Sequence, residues 1–173
     1  MPKTSVEFRI LVAGDAAAWR KVRLEALEND PEAFSATIEA HQKLTDDEIL
    51  SRIVCDPSNK FVFGAFAGGE LVGTAGFVRE PGLKERHKGF VWGVYLRASH
   101  RGEGVGRRMM MLLLDHARKI EGLEQINISV ATTQTAAMSL YRSLNFVPYG
   151  CEPRALKVNG RYIDEEHLWL RLS

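Results

Sequence analysis

The residues of this chain whose types and spacing could do chemistry are Arg101-Gly102-Glu103-Gly104-Val105-Gly106, followed at once by Arg107. Glycines at alternate positions remove the side chains that would hold a ligand away from the main chain. The N–H groups from Gly102 to Arg107 can therefore converge on one anion. Residues 90–96 upstream form an apolar run that predicts a strand. Downstream, apolar residues at 105, 109, 112, 113, 116/117 and 120 recur at helical spacing. A turn between strand and helix start adds the positive end of the helix dipole to the same point, so the expected ligand is a phosphate or pyrophosphate. Two common nucleotide motifs do not fit. A G-x-G-x-x-G fingerprint from Gly102 would need glycine where Arg107 stands, and G-x-x-x-x-G-K-[ST] occurs nowhere in the chain.

The elements that must position this turn follow from periodicity. Residues 123–131 alternate Ile126, Ile128 and Val130 with Asn127 and Ser129, a strand with one buried face. The next segment repeats Ala137, Leu140, Tyr141 and Leu144 at helical spacing, and Asn145 can take the left-handed position that ends a helix. Earlier, residues 6–12 predict a strand and a helix follows to about Glu28, with Trp19, Val22, Arg23 and Leu27 on one stripe and Asp15 as N-cap. Residues 31–44 form an irregular connector. Thr45-Asp46-Asp47-Glu48 is a capping-box pattern that opens a short helix to about Val54. Strands at 61–67 and 70–78 join through Gly68-Gly69 as an antiparallel hairpin, and residues 79–88 are a polar loop. The C-terminal part predicts strands at 154–158, 161–163 and 167–172, the first two joined by Asn159-Gly160. The result is an α/β (α+β) fold, a mixed and mostly antiparallel sheet flanked by helices, read as a single domain over residues 1–173.

Arg101 to Gly106 after a strand, with the later segment Gln134 through Leu140-Tyr141 to Asn145-Phe146, resembles the GNAT superfamily of acyl-CoA-dependent N-acetyltransferases. Relatives often carry asparagine at the position of Gln134 and glycine at the position of Asn145. The motifs span residues 90–147, and the element order agrees along nearly the whole chain. The resemblance implies an acetyl-CoA cosubstrate, its pyrophosphate on Arg101 and the amides of Gly102, Glu103, Gly104, Val105, Gly106 and Arg107. It implies a bulge in the central strand, with a backbone N–H from Val94, Tyr95 or Leu96 on the acetyl oxygen, and Gln134 beside the pantetheine arm. Gly93 is consistent with such a bulge. Tyr141 stands where the family places the acid for the departing thiolate; a phenol of pKa about 10 passes its proton to a thiolate whose acid has pKa about 8.5 with modest help from the site.

The general base is not assigned by sequence. The central strand carries no acid, and Glu80, Glu85, His87, Asp164, Glu165 and Glu166 are equivalent candidates beside a water chain to solvent. The histidines and the cysteines Cys55 and Cys151 make no metal-ligand spacing, so no metal is expected.

Composition narrows the partners. With 45% hydrophobic and 26% charged residues in 173, the chain is an ordinary globular sequence, and its net charge of +1 gives no cause to expect nucleic acid. No apolar run reaches a membrane span, the N-terminus lacks the apolar core of a signal peptide, and two cysteines suit a reducing cytoplasm. Between Arg97 and Lys119, six Lys/Arg face only Glu103 and Asp115, a local excess suited to a coenzyme with several phosphates. The expected activity is acetyl transfer to a primary amine, with a small molecule favoured over a protein N-terminus or lysine. A non-catalytic acyl-CoA sensor is the alternative, and a homodimer is compatible with the family.

Overall fold

The computed structural model describes residues 5–172. Its elements run β1 Val6–Ile10, α1 Ala16–Asn29, α2 Ile38–Gln42, α3 Asp46–Ile53, β2 Lys60–Ala67, β3 Glu70–Arg79 and β4 Lys88–Leu96, then α4 Val105–Ala117, β5 Gln125–Ala131, α5 Thr135–Ser143, β6 Val147–Val158 and β7 Arg161–Arg171. One seven-stranded sheet has the order β1-β2-β3-β4-β5-β7-β6. Only β4 and β5 pair in parallel; their crossover is α4, which the amphipathic spacing of its apolar residues lays against the sheet.

The alternation of side chains along β2 divides the core into two layers. Phe61, Phe63 and Ala65 point to the face covered by α4 and α5, where they meet Met109, Met110, Leu113 and Tyr141. Val62 and Phe66 point the other way, into Trp19 and Val22 of α1 and Ile49 and Ile53 of α3. Each fully buried side chain of this size contributes about 1.5–3 kcal/mol relative to exposure, so helices on both faces are held mainly by this burial. The capping box at α3 forms as its sequence predicts: Glu48 N donates to Thr45 Oγ1 at 3.2 Å, and Thr45 N donates to Glu48 Oε2 at 2.8 Å.

The structure corrects three expectations. The first strand ends at Ile10 rather than Val12, because a 3-10 turn at Ala13–Asp15 intervenes. Asp15 does not cap α1 with its side chain; its carboxylate instead accepts from Val12 N at 2.8 Å and from Arg9 at 2.7 and 2.8 Å. The three short C-terminal strands are two long ones, β6 and β7, paired antiparallel with register shifts near Gly150 and between Glu152 and Leu156. Residues 147–154 are all exposed, so they carry no burial pattern for sequence to reveal. The connector at 31–44 holds a 3-10 turn, Pro31–Ala33, and the short α2.

Candidate active site

Two irregularities of the sheet make the site. β4 pairs with β3 so that Trp92 faces Gly76 and Tyr95 faces Thr74, which leaves Gly93 and Val94 opposite Ala75 alone. This is a bulge. Gly93 takes φ +61°, a conformation that glycine adopts without strain, and Thr74 Oγ1 donates to the Gly93 carbonyl at 3.2 Å. The extra residue resets alternation, so Trp92 and Tyr95 both belong to the α1 layer while Val91, Val94 and Leu96 belong to the α4 layer. The second irregularity is a split: β4 and β5 pair only from Lys88↔Gln125 to Phe90↔Asn127, and from Val91 onward the β5-facing edge of β4 has no strand on it. An extended chain can enter this gap and use the exposed main chain as a strand would.

The glycine turn lies at the end of that gap, as its sequence predicts. Gly104, φ +79°, is the residue immediately before α4, and Gly102 takes φ +75°. A Cβ placed on either would meet no protein atom within 4 Å. Packing does not require these glycines; the backbone conformation does, and it leaves the amides open to a close ligand. The arginines are less free than sequence suggests. Arg101 donates from Nε to the Leu96 carbonyl at 2.7 Å and from Nη2 to Asp30 at 2.6 Å, with its guanidinium 5.6 Å from the Tyr95 ring centre. Arg107 reaches the Ser143 hydroxyl at 2.6 Å and so ties α4 to α5. Both side chains fasten the turn, and beside them lie the main-chain N–H groups of Gly102, Glu103, Gly104, Val105, Gly106 and Arg107.

Across the turn, Leu140 comes within 3.9 Å of a Cβ placed on Gly106, so α5 abuts the turn and carries Tyr141 with it. The Tyr141 ring is 5% exposed and packs edge-on to Phe146 at 6.0 Å. Burial pushes its phenol well above the usual range, so it is protonated throughout the physiological span. Gln134 stands half-buried at the entry to α5 without capping it.

The α1 face of the gap carries groups that sequence reasoning missed. Glu25 accepts from the Tyr95 hydroxyl at 3.1 Å and from Arg97 Nε at 2.9 Å, and Asn29 donates to Tyr95 Oη at 3.3 Å. This network fixes β4 to α1 just beyond the bulge; burial pushes the Tyr95 phenol up. Arg23, on α1, lies with its guanidinium carbon 4.4 Å from the centre of the Phe34 ring. Its Nη1 is 3.6 Å from a Cβ placed on Gly93. His41 meets Trp19 edge-on at 5.6 Å, and Trp19 meets Trp92 edge-on at 6.2 Å. On the far side of the split, Ser129 Oγ and His167 Nδ1 are 2.8 Å apart. Counting along the parallel pair from Phe90↔Asn127 sets Ser129 level with Trp92. Glu165, paired with Ala131, is the next β7 residue on this face, and burial followed by the charge of Glu152 raises its carboxyl while His167 opposes. No spacing rule links residues 38 positions apart, so the Ser129–His167 pair was invisible to sequence. Among the described residues no group of His, Cys, Asp and Glu could hold a metal, and no helix is long and apolar enough to cross a membrane.

A mixed sheet that splits beside a bulge, with a glycine turn opening a helix at the mouth of the split, defines an acyltransferase scaffold. The pattern of the Acetyltransferase (GNAT) family matches residues 21–146, and the chain belongs to that family. It is 35% identical to the N-alpha-acetyltransferase RimI of Mycobacterium tuberculosis over 72% of this chain and 78% of that protein. It is 24% identical to the spermidine N(1)-acetyltransferase of Vibrio cholerae over 82% of this chain and 75% of that one. Its fold superposes with a TM-score of 0.83 on yncA, a putative acetyltransferase from Salmonella typhimurium solved with acetyl-CoA, at 22% identity over 98% of this chain and 95% of that one.

Proposed function

We propose that this domain transfers the acetyl group of acetyl-CoA directly to the primary amine of a small molecule, within a complex holding both substrates, in a reducing cytoplasm where Cys55 and Cys151 stay free thiols. The observation that carries the proposal is the end of β4–β5 pairing at Phe90↔Asn127 with the α4 glycine turn at the mouth of the gap. The pyrophosphate lies on the amides of the turn, and the pantetheine arm runs along the open edge of β4 past Gln134. A main-chain N–H from Val94, Tyr95 or Leu96 polarises the thioester carbonyl. The amine nitrogen attacks the carbonyl carbon, the N–C bond forms and the C–S bond breaks. The thiolate takes a proton from Tyr141 Oη, the ammonium proton leaves to water on the open α1 face, where Glu165 and His167 stand, and the tyrosinate regains a proton from solvent once CoA departs. Burial makes Tyr141 a weaker acid, but the thiolate forms in equally dry surroundings and becomes a stronger base, so the two shifts offset.

Release of free thiol from acetyl-CoA tests this across polyamines, amino acids, aminoglycosides and short peptides. Amine-dependent release is expected, strongest with a small molecule. Acetyl-CoA binding without release to any amine would instead support a sensor, and release with peptides alone would move the acceptor to proteins.

A further inference from the structure

Among the described residues, the α1 face holds a cation with no carboxylate in ion-pair contact. Arg23 is 9% exposed, and its Nη1 has no hydrogen-bond partner. His41 is 3% exposed, and its Nε2 also has none. A buried guanidinium without a carboxylate is costly, and an apolar side chain of similar volume would fill the same space with less penalty. Its surroundings add to the cost. The charge that acts on Arg23 is that of another cation, Arg52, while the third arginine acting on His41, Arg20, is already engaged by Asp46 at 3.2 Å and by the carbonyls of Gln42 and Leu44 at 3.0 Å each. Stacking on Phe34 explains where the guanidinium lies but leaves Nη1 unsatisfied. That nitrogen aims at the Gly93 bulge, where, on the acetyltransferase reading, the acetyl group is delivered.

We propose that Arg23 Nη1, assisted by His41 Nε2, binds an anionic group of the acceptor, so the substrate is a small amine carrying a carboxylate within two or three bonds of its amino group. The inference rests on the N-acetyltransferase reading for where the amine lies. The short reach from Nη1 to the bulge sets the spacing of the two groups on the substrate, and entry of the carboxylate requires the Phe34 ring, now stacked on the guanidinium, to move aside. Burial and the Arg52 charge draw the Arg23 guanidinium down to about 10, a shift that a bound anion would reverse. Arg23 thus acts as a specificity-determining residue. It appears in the sequence as one position of an otherwise apolar stripe, Trp19, Val22 and Leu27.

The test uses the CoA-loaded protein, with L-methionine, L-phenylalanine and L-glutamate and the α-carboxamide of each as probes. Binding is followed by the fluorescence of Trp19 and Trp92, and turnover by thiol release. Wild type is expected to bind the acids and turn them over about 30-fold better than the amides, the discrimination typical of one charge-assisted contact. Arg23→Met is expected to bring that preference to within about threefold, with acetyl-CoA affinity unchanged and no loss of thermal stability, since it removes an unpaired buried charge. Equal handling of acid and amide by wild type overturns the proposal without recourse to any variant, as does a preference that survives in Arg23→Met. Failure to release thiol with any amine refutes the acetyltransferase reading, and in that case the acid-over-amide ratio in fluorescence still decides the anion subsite.

Discussion

Gly104 allows the anion site to be tested against its own backbone cost. Its φ of +79° is a conformation in which a β-branched residue is strained, and a Cβ there meets no protein atom within 4 Å. Gly160, in the turn between β6 and β7, has the same φ of +79° and equally open surroundings. Gly104→Val and Gly160→Val therefore carry the same intrinsic penalty of roughly 1–2 kcal/mol. For a chain of this length that corresponds to a fall in Tm of roughly 2–8 °C in each. They differ only in what approaches them. At Gly104 the two γ-methyls would occupy the space over the amides proposed to hold the pyrophosphate, so acetyl-CoA should bind at least about tenfold more weakly, a loss of about 1.4 kcal/mol or more. At Gly160 the affinity should be that of wild type. Calorimetric titration of both variants, after thermal unfolding has shown matched stability losses, separates strain from ligand exclusion. Equal acetyl-CoA affinity in the two would refute the placement of the phosphate site at the α4 turn.

Three further outcomes are expected. Tyr141→Phe should lower kcat by about 10²-fold or more while acetyl-CoA affinity and Tm hold, because the lost hydroxyl is buried in an apolar cluster; full activity in thiol release would remove Tyr141 from proton transfer. Glu25→Gln should cost about 2 kcal/mol, seen as a Tm lower by roughly 4–8 °C, since Arg97, 15% exposed at its side chain, would keep only Glu70 at 2.7 Å; an unchanged Tm would show the network to be idle. His41 is held down to about 4 by burial and by the charges of Arg23, Arg52 and Arg20. Its ordinary value of 6.5 returns on unfolding, so the unfolded chain takes up the proton first and stability falls as pH drops from about 6.5 to about 4. The loss is on the order of 3 kcal/mol. His41→Phe should flatten that part of the stability–pH curve, and an identical slope in wild type and variant would contradict the assignment.

Much of the site was legible because it is local. Residues 90–106 predict a strand and a glycine turn at a helix start, with glycines at 93, 102, 104 and 106, and Gly93 is consistent with the bulge that the family resemblance implies. The capping box at Thr45 and Glu48 was equally readable, since both partners lie within one turn of helix. What escaped is non-local. Asp15 is a local exception: it satisfies the rule for a cap, yet the 3-10 turn at Ala13–Asp15 directs its carboxylate back to Val12 N and to Arg9. Arg101 and Arg107 look free in a basic stretch but are drawn to Asp30 and Ser143, 71 and 36 positions away. Arg23 looks like a stripe position because periodicity records burial and is blind to the absence of a partner.

The position of β7 between β5 and β6 has a kinetic consequence. Every strand from β1 to β5 can find its neighbour in order of synthesis, apart from the α4 crossover, but β5 acquires its second partner only from residues 161–171, after the whole of β6 has been made. A chain that folds as it is made therefore gains the β5–β7 pairs last, after β4, α4 and β5 are all available. His167 and Glu165 arrive with that strand. On the acetyltransferase reading, the elements proposed to hold the coenzyme, β4, α4 and α5, are thus made before the far wall of the proposed acceptor groove. On that reading a nascent chain with β7 still unmade would hold acetyl-CoA yet be unable to present an amine to it, so coenzyme binding should appear earlier in synthesis than turnover.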